Sequence, residues 1–156
     1  MQRAYVLLLL LLPNVSFAQT EQELEVLTVI DRFFATKAER DSAGLAAIMA
    51  PKSVLEYWFE TGNLHQKKSR IRTTKYLRSL KKGADLIREH YWLPVVAIDE
   101  YGTRVTARYD LHVNGEPKQC GTSYFHLVKD VDRWKISSVL FNVEGACMPC
   151  PLGPPK

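Results

Sequence analysis

The sequence predicts an α+β domain in which helices pack on one side of an antiparallel sheet. Two periodicities predict this fold class. In the first part of the chain apolar residues recur every three or four positions, as in amphipathic helices, whereas beyond residue 87 they alternate with polar residues, as in half-buried strands. The length of 156 residues, with 46% hydrophobic and 24% charged residues, fits one globular domain.

Residues 1–18 have the pattern of a secretory signal peptide. A cationic start precedes the apolar run Ala4–Leu12, and the small residues Ser16 and Ala18 precede an expected cleavage site before Gln19. The apolar run is shorter than the roughly 20 residues that a membrane-spanning helix needs. We therefore expect a secreted or periplasmic protein with no membrane insertion after signal cleavage.

Two helices are expected next. Thr20 and Glu23 match a capping box, and the apolar stripe that follows predicts a helix to about Ala38. Asp41 is placed to cap a short second helix, which should end before Pro51.

The middle of the chain is expected to hold one strand, a loop and a third helix. Val54–Phe59 is rich in aromatic and branched residues and predicts a strand, whereas Thr61–Lys68 reads as a polar loop. The third helix should start at Thr73 or Thr74 and be closed by Gly83.

A meander of strands should complete the domain. Pro94 interrupts the first of them, and Asn114-Gly115 is a strong hairpin signal between two alternating runs. The Pro-rich tail, residues 147–156, is expected to be extended and mobile. The expected strands are Ile87–Trp92 with Val95–Ile98, Val105–Val113, Cys120–Lys129 and Arg133–Val143.

Charge and motifs exclude several function classes. A net charge of +4 is too small by itself to indicate nucleic-acid binding, and we expect none. The four histidines lack metal-ligand spacing, and the sequence has no phosphate-binding loop, nucleophile elbow or dinucleotide fingerprint, so we expect no metal and no cofactor. One basic stretch is expected to be a solvated face, with attraction of an anionic ligand or a membrane surface as the alternative. Its members are Lys67, Lys68, Arg70, Arg72, Lys75, Arg78, Lys81 and Lys82.

Four stretches of the chain form a recognisable pattern by their order and spacing. They are Ile87-Arg88-Glu89-His90-Tyr91-Trp92 with Pro94-Val95, Arg108-Tyr109-Asp110-Leu111, Cys120-Gly121 with Phe125-His126-Leu127-Val128-Lys129, and Arg133-Trp134-Lys135-Ile136 ending at Cys147. This pattern resembles the nuclear transport factor 2-like (SnoaL-like) superfamily, and specifically its branch named for lumazine binding. The resemblance implies a cone-shaped domain over residues 19–146, in which about three helices pack on a strongly curved sheet of four to six strands and leave a pocket. Activity stays open, because the superfamily includes both enzymes and binders.

The leading functional hypothesis is an exported small-molecule-binding domain. Its pocket would lie between the helices and the curved sheet and would be mostly apolar. We expect Phe33, Phe34, Tyr57 and Tyr109 to line it and a small apolar or aromatic ligand to fill it.

An isomerase- or dehydratase-like enzyme is the second hypothesis, because acid-base enzymes of this fold type place a carboxylate beside a Tyr or His in an apolar pocket. Tyr109 is the one polar side chain on the apolar face of its strand. Asp110 falls on the opposite face with Arg108 and His112, so alternation places it away from the pocket. Glu56 would be the best buried carboxylate if the even-numbered residues of its strand point inward, which the sequence leaves open.

A homodimer formed through the outer sheet face, as in many members of the superfamily, is the third hypothesis. Trp134 and Ile136 share one strand face and are expected to pack on the helices. The residues expected to form an exposed dimer patch are Tyr124, His126, Val139 and Phe141.

The three cysteines are expected to supply a structural disulfide, since exported thiols tend to oxidise. If the last hairpin turns near Val131, Cys120 lies opposite Val143 and Cys147 is within reach. Cys120–Cys147 is the favoured pair, and pairs of either residue with Cys150 are alternatives. The resemblance favours the same pair, because it matches Cys120 and Cys147 but not Cys150.

Overall fold

A computed structural model describes residues 20–61, 65–82 and 85–144. The predicted signal segment, the predicted tail and Cys147 lie outside the described residues. Three helices are present in the described chain, α1 Glu21–Ala38, α2 Ser42–Ile48 and α3 Thr73–Leu80. Its strands are β1 Met49–Thr61, β2 His65–Arg72, β3 Ile87–Asp99, β4 Gly102–Val113, β5 Glu116–Asp130 and β6 Arg133–Val143.

The six strands form one sheet in the order β2-β1-β6-β5-β4-β3. β1 and β6 run parallel, and every other neighbouring pair is antiparallel. The sheet is curled, and the helices pack against its inner face to form the hydrophobic core. The predicted α+β class, with three helices on a curved, mainly antiparallel sheet, is confirmed.

Local hydrogen bonds define the starts of the first two helices. Thr20 Oγ1 accepts a hydrogen bond from the Glu23 N–H at 3.2 Å, and the Glu23 carboxylate accepts one from the Thr20 N–H at 3.0 Å. The predicted capping box is therefore formed. Asp41 Oδ1 accepts from the Gly44 N–H at 2.8 Å at the start of α2. The third helix begins at Thr73, one of its two predicted starts.

The prediction of a loop over Thr61–Lys68 is wrong for most of that range, because β2 pairs with β1 from His65 onwards. β2 is an edge strand with one hydrogen-bonded neighbour. Edge strands are commonly protected by lysines and other charged residues, and β2 consequently lacks the apolar alternation by which a strand is recognised.

A β-bulge in β6 changes which of its residues face the core. Leu127 of β5 lies opposite Ile136, whereas its neighbour His126 lies opposite Ser138, so Ser137 is an extra residue in β6. The inner face of β6 therefore takes even positions before the bulge and odd positions after it.

This bulge makes the predicted dimer patch wrong in two of its four members. Val139 and Phe141 are 0% and 1% exposed and belong to the core. Leu140, directly opposite Tyr124, lies on the outer face instead. Strict alternation along β6 places these residues on the wrong faces, because a bulge shifts the pattern by one position.

The same bulge shifts the register near the cysteines. Gly121, and not Cys120, lies opposite Val143. The carbonyl oxygen of Cys120 accepts a hydrogen bond from the Glu144 N–H at 3.0 Å, so the chain still runs beside Cys120 as it leaves β6. Pairing of Cys120 with Cys147 stays a prediction, because Cys147 lies outside the described residues.

Candidate functional site

The interior of the curled sheet is closed at one end and half-open at the other. At the closed end several inward side chains are fully buried, among them Val105 of β4 and Leu127 of β5, whereas Val96 and Ile98 of β3 are half-buried. Toward the other end of the sheet most of the inward side chains are only half-buried. We call this region the open end; its inward residues are Tyr57, Phe59, Ile87, Glu89, Leu111 and Gln119.

A buried ion pair lies at the open end. Lys37 extends from α1 and Glu89 from β3, and Lys37 Nζ is 2.7 Å from Glu89 Oε1. The two side chains are 3% and 7% exposed. Lys37 Nζ also lies 4.9 Å from the ring centroid of Phe141 and 5.0 Å from that of Phe33. The ammonium group is thus held by one carboxylate and by the faces of aromatic rings.

Three tyrosines surround this ion pair. Desolvation by burial raises the pKa of Tyr57, Tyr76 and Tyr109 well above the ordinary tyrosine value. The positive charge of Lys37 lowers the pKa of Tyr57 in part, whereas the negative charge of Glu89 raises the pKa of all three. All three phenols therefore stay protonated at neutral pH.

These phenols are available as hydrogen-bond donors. The Tyr109 hydroxyl accepts a hydrogen bond from Gln119 Nε2 at 2.6 Å, which leaves its own hydrogen free to be donated. The hydroxyls of Tyr57 and Tyr76 make no hydrogen bond with another described residue. The open end thus combines neutral donors, a cation and a carboxylate within an aromatic lining.

The four predicted pocket residues all belong to the interior, but they take different parts in it. Phe33, Phe34 and Tyr109 are 0%, 5% and 0% exposed, so they form the packed floor. Phe33 and Phe34 contact each other edge to face, with ring centroids 5.4 Å apart. Tyr57 is half-buried and stacks on Phe141 at 5.1 Å, which shows that the odd-numbered residues of β1 point inward.

Neither predicted carboxylate belongs to this site. Glu56 lies on the outer face, where its oxygens are 3.1 Å from Lys68 Nζ and from Arg70 Nε. Asp110 also lies on the outer face, as its alternation predicts, and its Oδ2 is 3.6 Å from His112 Nε2. A pairing of either carboxylate with Tyr109 in the pocket is therefore wrong, because the sheet separates them.

Sequence reasoning missed Lys37 as a site residue, although a signal was present. Ile30, Phe33 and Lys37 follow one another at helical spacing, so a lysine continues the buried stripe of α1. Sequence reasoning does not single out Glu89 either, although alternation along β3 places it on the face of Ile87 and Tyr91. A charge on each of two buried faces is the pattern that indicates a buried ion pair.

The described residues contain neither a cluster of metal ligands nor a helix that could span a membrane. Within residues 20–61, 65–82 and 85–144, no three His, Cys, Asp or Glu side chains are grouped as a metal site requires. No helix in this part of the chain is long and apolar enough to cross a membrane.

Comparisons with known proteins identify the fold. No family model matches the chain, and no curated protein matches it either. Solved structures do match. The beta subunit of a proposed aromatic-ring-hydroxylating dioxygenase from Novosphingobium aromaticivorans has a TM-score of 0.66 at 9% identity, over 86% of this chain and 97% of that one. A proposed dehydratase from the NTF2-like family of Streptomyces avermitilis has a TM-score of 0.61 at 15% identity, over 79% and 96%.

A third structure carries the same family name. An NTF2-like protein of unknown function from Shewanella baltica has a TM-score of 0.57 at 12% identity, over 85% of this chain and all of that one. This chain has the NTF2-like fold. Identities this low establish the NTF2-like architecture alone, so the superfamily resemblance is confirmed at that level, and the lumazine-binding branch stays a prediction.

Proposed function

We propose that this NTF2-like chain is an exported small-molecule-binding domain whose ligand enters through the open end. The observation that carries the proposal is the Lys37–Glu89 ion pair, buried beneath half-open aromatic walls. The ligand would place an apolar or aromatic body against Tyr57, Phe59 and Leu111.

A purely structural role explains the ion pair poorly. Removing two charges from water is expensive, and well-packed apolar residues often stabilise a core as much or more. Ionisable groups retained in a cleft are therefore candidates for ligand recognition. The free hydroxyl hydrogens of Tyr57 and Tyr76 favour a ligand that offers hydrogen-bond acceptors such as carbonyl oxygens.

Binding is tested with the neutral fluorescent dye Nile red. We expect the purified chain to enhance its fluorescence and small aromatic carbonyl compounds to displace it. Leu111→Arg places a charge in the open end and should weaken dye binding about tenfold or more. The matched control is His112→Arg, one residue along β4 on the outer face. Equal effects of the two substitutions, or no dye binding at all, would show that the open end is not a ligand site.

An acid-base enzyme is the second candidate function, and the buried carboxylate of Glu89 favours it. Glu89 would accept a proton from the substrate while the Tyr57 or Tyr76 hydroxyl donates a hydrogen bond to a developing oxyanion. One structural neighbour is named as a proposed dehydratase of the NTF2-like family. The test follows the ligand identified by displacement, with liquid chromatography and mass spectrometry detecting loss of water or a new retention time at unchanged mass. Glu89→Gln should abolish turnover and Glu56→Gln should retain it; turnover that survives Glu89→Gln excludes this mechanism.

Dimerisation through the outer face is part of the proposal. Tyr124 is 43% exposed there and lies opposite Leu140, so the outer face presents apolar surface that a second copy could cover. Light scattering should show that the wild type is a dimer and that Tyr124→Asp is a monomer. A monomeric wild type would exclude dimerisation through the outer face.

Export is tested separately by the intact mass of the protein recovered from a periplasmic fraction. We expect the mass of a chain beginning at Gln19, in accord with the sequence pattern of residues 1–18. Recovery of the full-length chain from the cytoplasm alone would contradict export and leave the binding proposal untouched.

A further inference from the structure

A cavity lies away from the open end, where α2, β1, β2 and α3 meet. Its volume of about 960 Å³ is within the range of small-molecule pockets. The irregular start of β1, between Met49 and Val54, forms one wall, and the first turn of α3 forms another. We call this cavity the β1–α3 groove. Its apolar lining consists of Ala46, Met49, Ala50, Pro51, Val54 and Leu77.

The β1–α3 groove carries positive charge on its walls. Lys52, Arg70 and Arg72 line it, and no Asp or Glu does so among the described residues. Arg70 is partly neutralised, because its Nε is 3.1 Å from Glu56 Oε1. Lys52 and Arg72 make no ion pair with any described carboxylate. Two uncompensated cations beside a concave surface attract anions.

The floor of the groove holds an unused hydrogen-bond donor. Ser53 and Thr73 both line the groove, are 3% and 6% exposed, and have their hydroxyl oxygens 2.8 Å apart. Two hydroxyls carry two hydrogens, and the bond between them uses one. No other side-chain hydrogen bond to a described residue involves either hydroxyl. The second hydrogen is therefore left for an acceptor in the groove, since buried donors are rarely left unpaired.

The first turn of α3 also favours an anion in the groove. Arg72 occupies the N-cap position without a side-chain cap hydrogen bond. The first backbone N–H groups of a helix have no partner within it, and they carry the positive end of the helix dipole. Thr73 and Thr74, from this turn, are part of the groove lining.

We propose that the β1–α3 groove is a binding site for a small organic oxyanion. The anionic group, a phosphate or a carboxylate, lies between Lys52, Arg72 and the Ser53–Thr73 hydroxyls. The organic body lies against the apolar wall formed by Met49, Pro51 and Leu77 among others. This site is independent of the ligand proposed for the open end.

Calorimetric titration of the full chain tests the site with three probes: phenyl phosphate, phenylacetate and inorganic phosphate. The phenyl compounds should bind more tightly than inorganic phosphate, because only they have an apolar body, and the tighter of the two identifies the head group. Lys52→Gln with Arg72→Gln should weaken binding about tenfold or more, since charged hydrogen bonds are lost. Thr73→Val keeps the side-chain shape, removes one floor hydroxyl and should weaken binding several-fold.

The control removes the same charge from the same basic stretch outside the groove. Arg78→Gln with Lys81→Gln changes α3 and the residue that follows it, and neither side chain is part of the groove lining. We expect less than about a twofold loss, because distant surface charges are screened by salt. Equal losses in both double variants would show diffuse attraction and overturn the proposal. Absence of binding by all three probes, or equal binding of inorganic phosphate and the phenyl compounds, would overturn it as well.

Discussion

Carboxylates lie on both faces of the sheet, in opposite settings. Glu56 on the outer face pairs with Lys68 and Arg70, whose side chains are 49% and 62% exposed. Glu89 on the inner face pairs with Lys37, and their side chains are 7% and 3% exposed. Water screens the outer pairs, which contribute little to stability. The inner pair has lost its hydration, so removing either partner leaves a charge that nothing compensates. The difference indicates that the outer charges serve solubility and the inner ones serve a site.

The largest expected effect breaks the inner pair. Lys37→Met should lower the free energy of unfolding by about 3–5 kcal/mol, because it leaves the Glu89 carboxylate buried without its cation. The double substitution Lys37→Met with Glu89→Leu should recover most of the loss, since it removes both charges. Urea unfolding of the wild type and the variants measures these values.

The outer pair provides the contrast for this experiment. Glu56→Gln should change the free energy of unfolding by less than about 1 kcal/mol, because its partners are exposed. If Glu56→Gln destabilised the protein as much as Lys37→Met, the two faces would not differ in the way that their burial indicates.

A smaller effect concerns the predicted disulfide of Cys120. Cys147→Ser should lower the free energy of unfolding by roughly 3 kcal/mol, because a bridge to Cys120 reduces the conformational entropy of the unfolded chain. Cys150→Ser should have little effect and serves as the matched control. Peptide mapping without reductant identifies the bridge directly. A Cys120–Cys150 or Cys147–Cys150 peptide would replace the favoured pair with one of its alternatives.

Alkaline pH should lower the free energy of unfolding through three tyrosines near the inner ion pair. Burial raises the pKa of Tyr57, Tyr76 and Tyr109, whereas the unfolded chain releases these protons near the ordinary value of about 10. Above that pH the unfolded state binds fewer protons, so the free energy of unfolding falls as the pH rises, and the full contribution is present below it. Tyr76→Phe should make this fall shallower, because one of the three tyrosines with a raised pKa is then absent. Unfolding curves at a series of alkaline pH values measure the slope.

The fold was largely predictable because its helices and inner strands carry regular patterns. The Thr20–Glu23 capping box, the α1 stripe and the alternation of β4 each correspond to an observed element. The errors have physical causes. β2 is a charged edge strand without apolar alternation, and the extra residue Ser137 inverts the pattern of β6. A single sequence gives no direct sign of a bulge.

The site was less predictable, since it depends on contacts between distant elements. Alternation correctly placed Tyr109 inward and Asp110 outward, but it offers no choice between the two faces of β1. Once Tyr57 is known to point inward, Glu56 must point outward. The pairing of Lys37 with Glu89 joins residues 52 positions apart, which no local pattern reveals. The sequence pattern around each residue indicates a buried side chain, but the contact between the two charges is formed only in the folded chain.

The smallest expected effect separates two hydroxyls of the inner face. The Tyr109 hydroxyl accepts from Gln119 Nε2, so Tyr109→Phe leaves that amide without its partner and should lower the free energy of unfolding by about 1–3 kcal/mol. Tyr57→Phe removes a hydroxyl that has no partner among the described residues, and should change the free energy of unfolding by less than about 0.5 kcal/mol.

Ligand affinity should follow the Tyr57 hydroxyl even though stability does not. An aromatic carbonyl compound that displaces Nile red should bind several-fold more weakly to Tyr57→Phe, because the protein loses a preorganised donor while its core is unchanged. A Tyr57→Phe variant that lost as much stability as Tyr109→Phe, with unchanged affinity, would mean that the hydroxyl is a packing element. The hydroxyl donors at the open end would then serve packing, and the inner face would have no more role in ligand binding than the outer face.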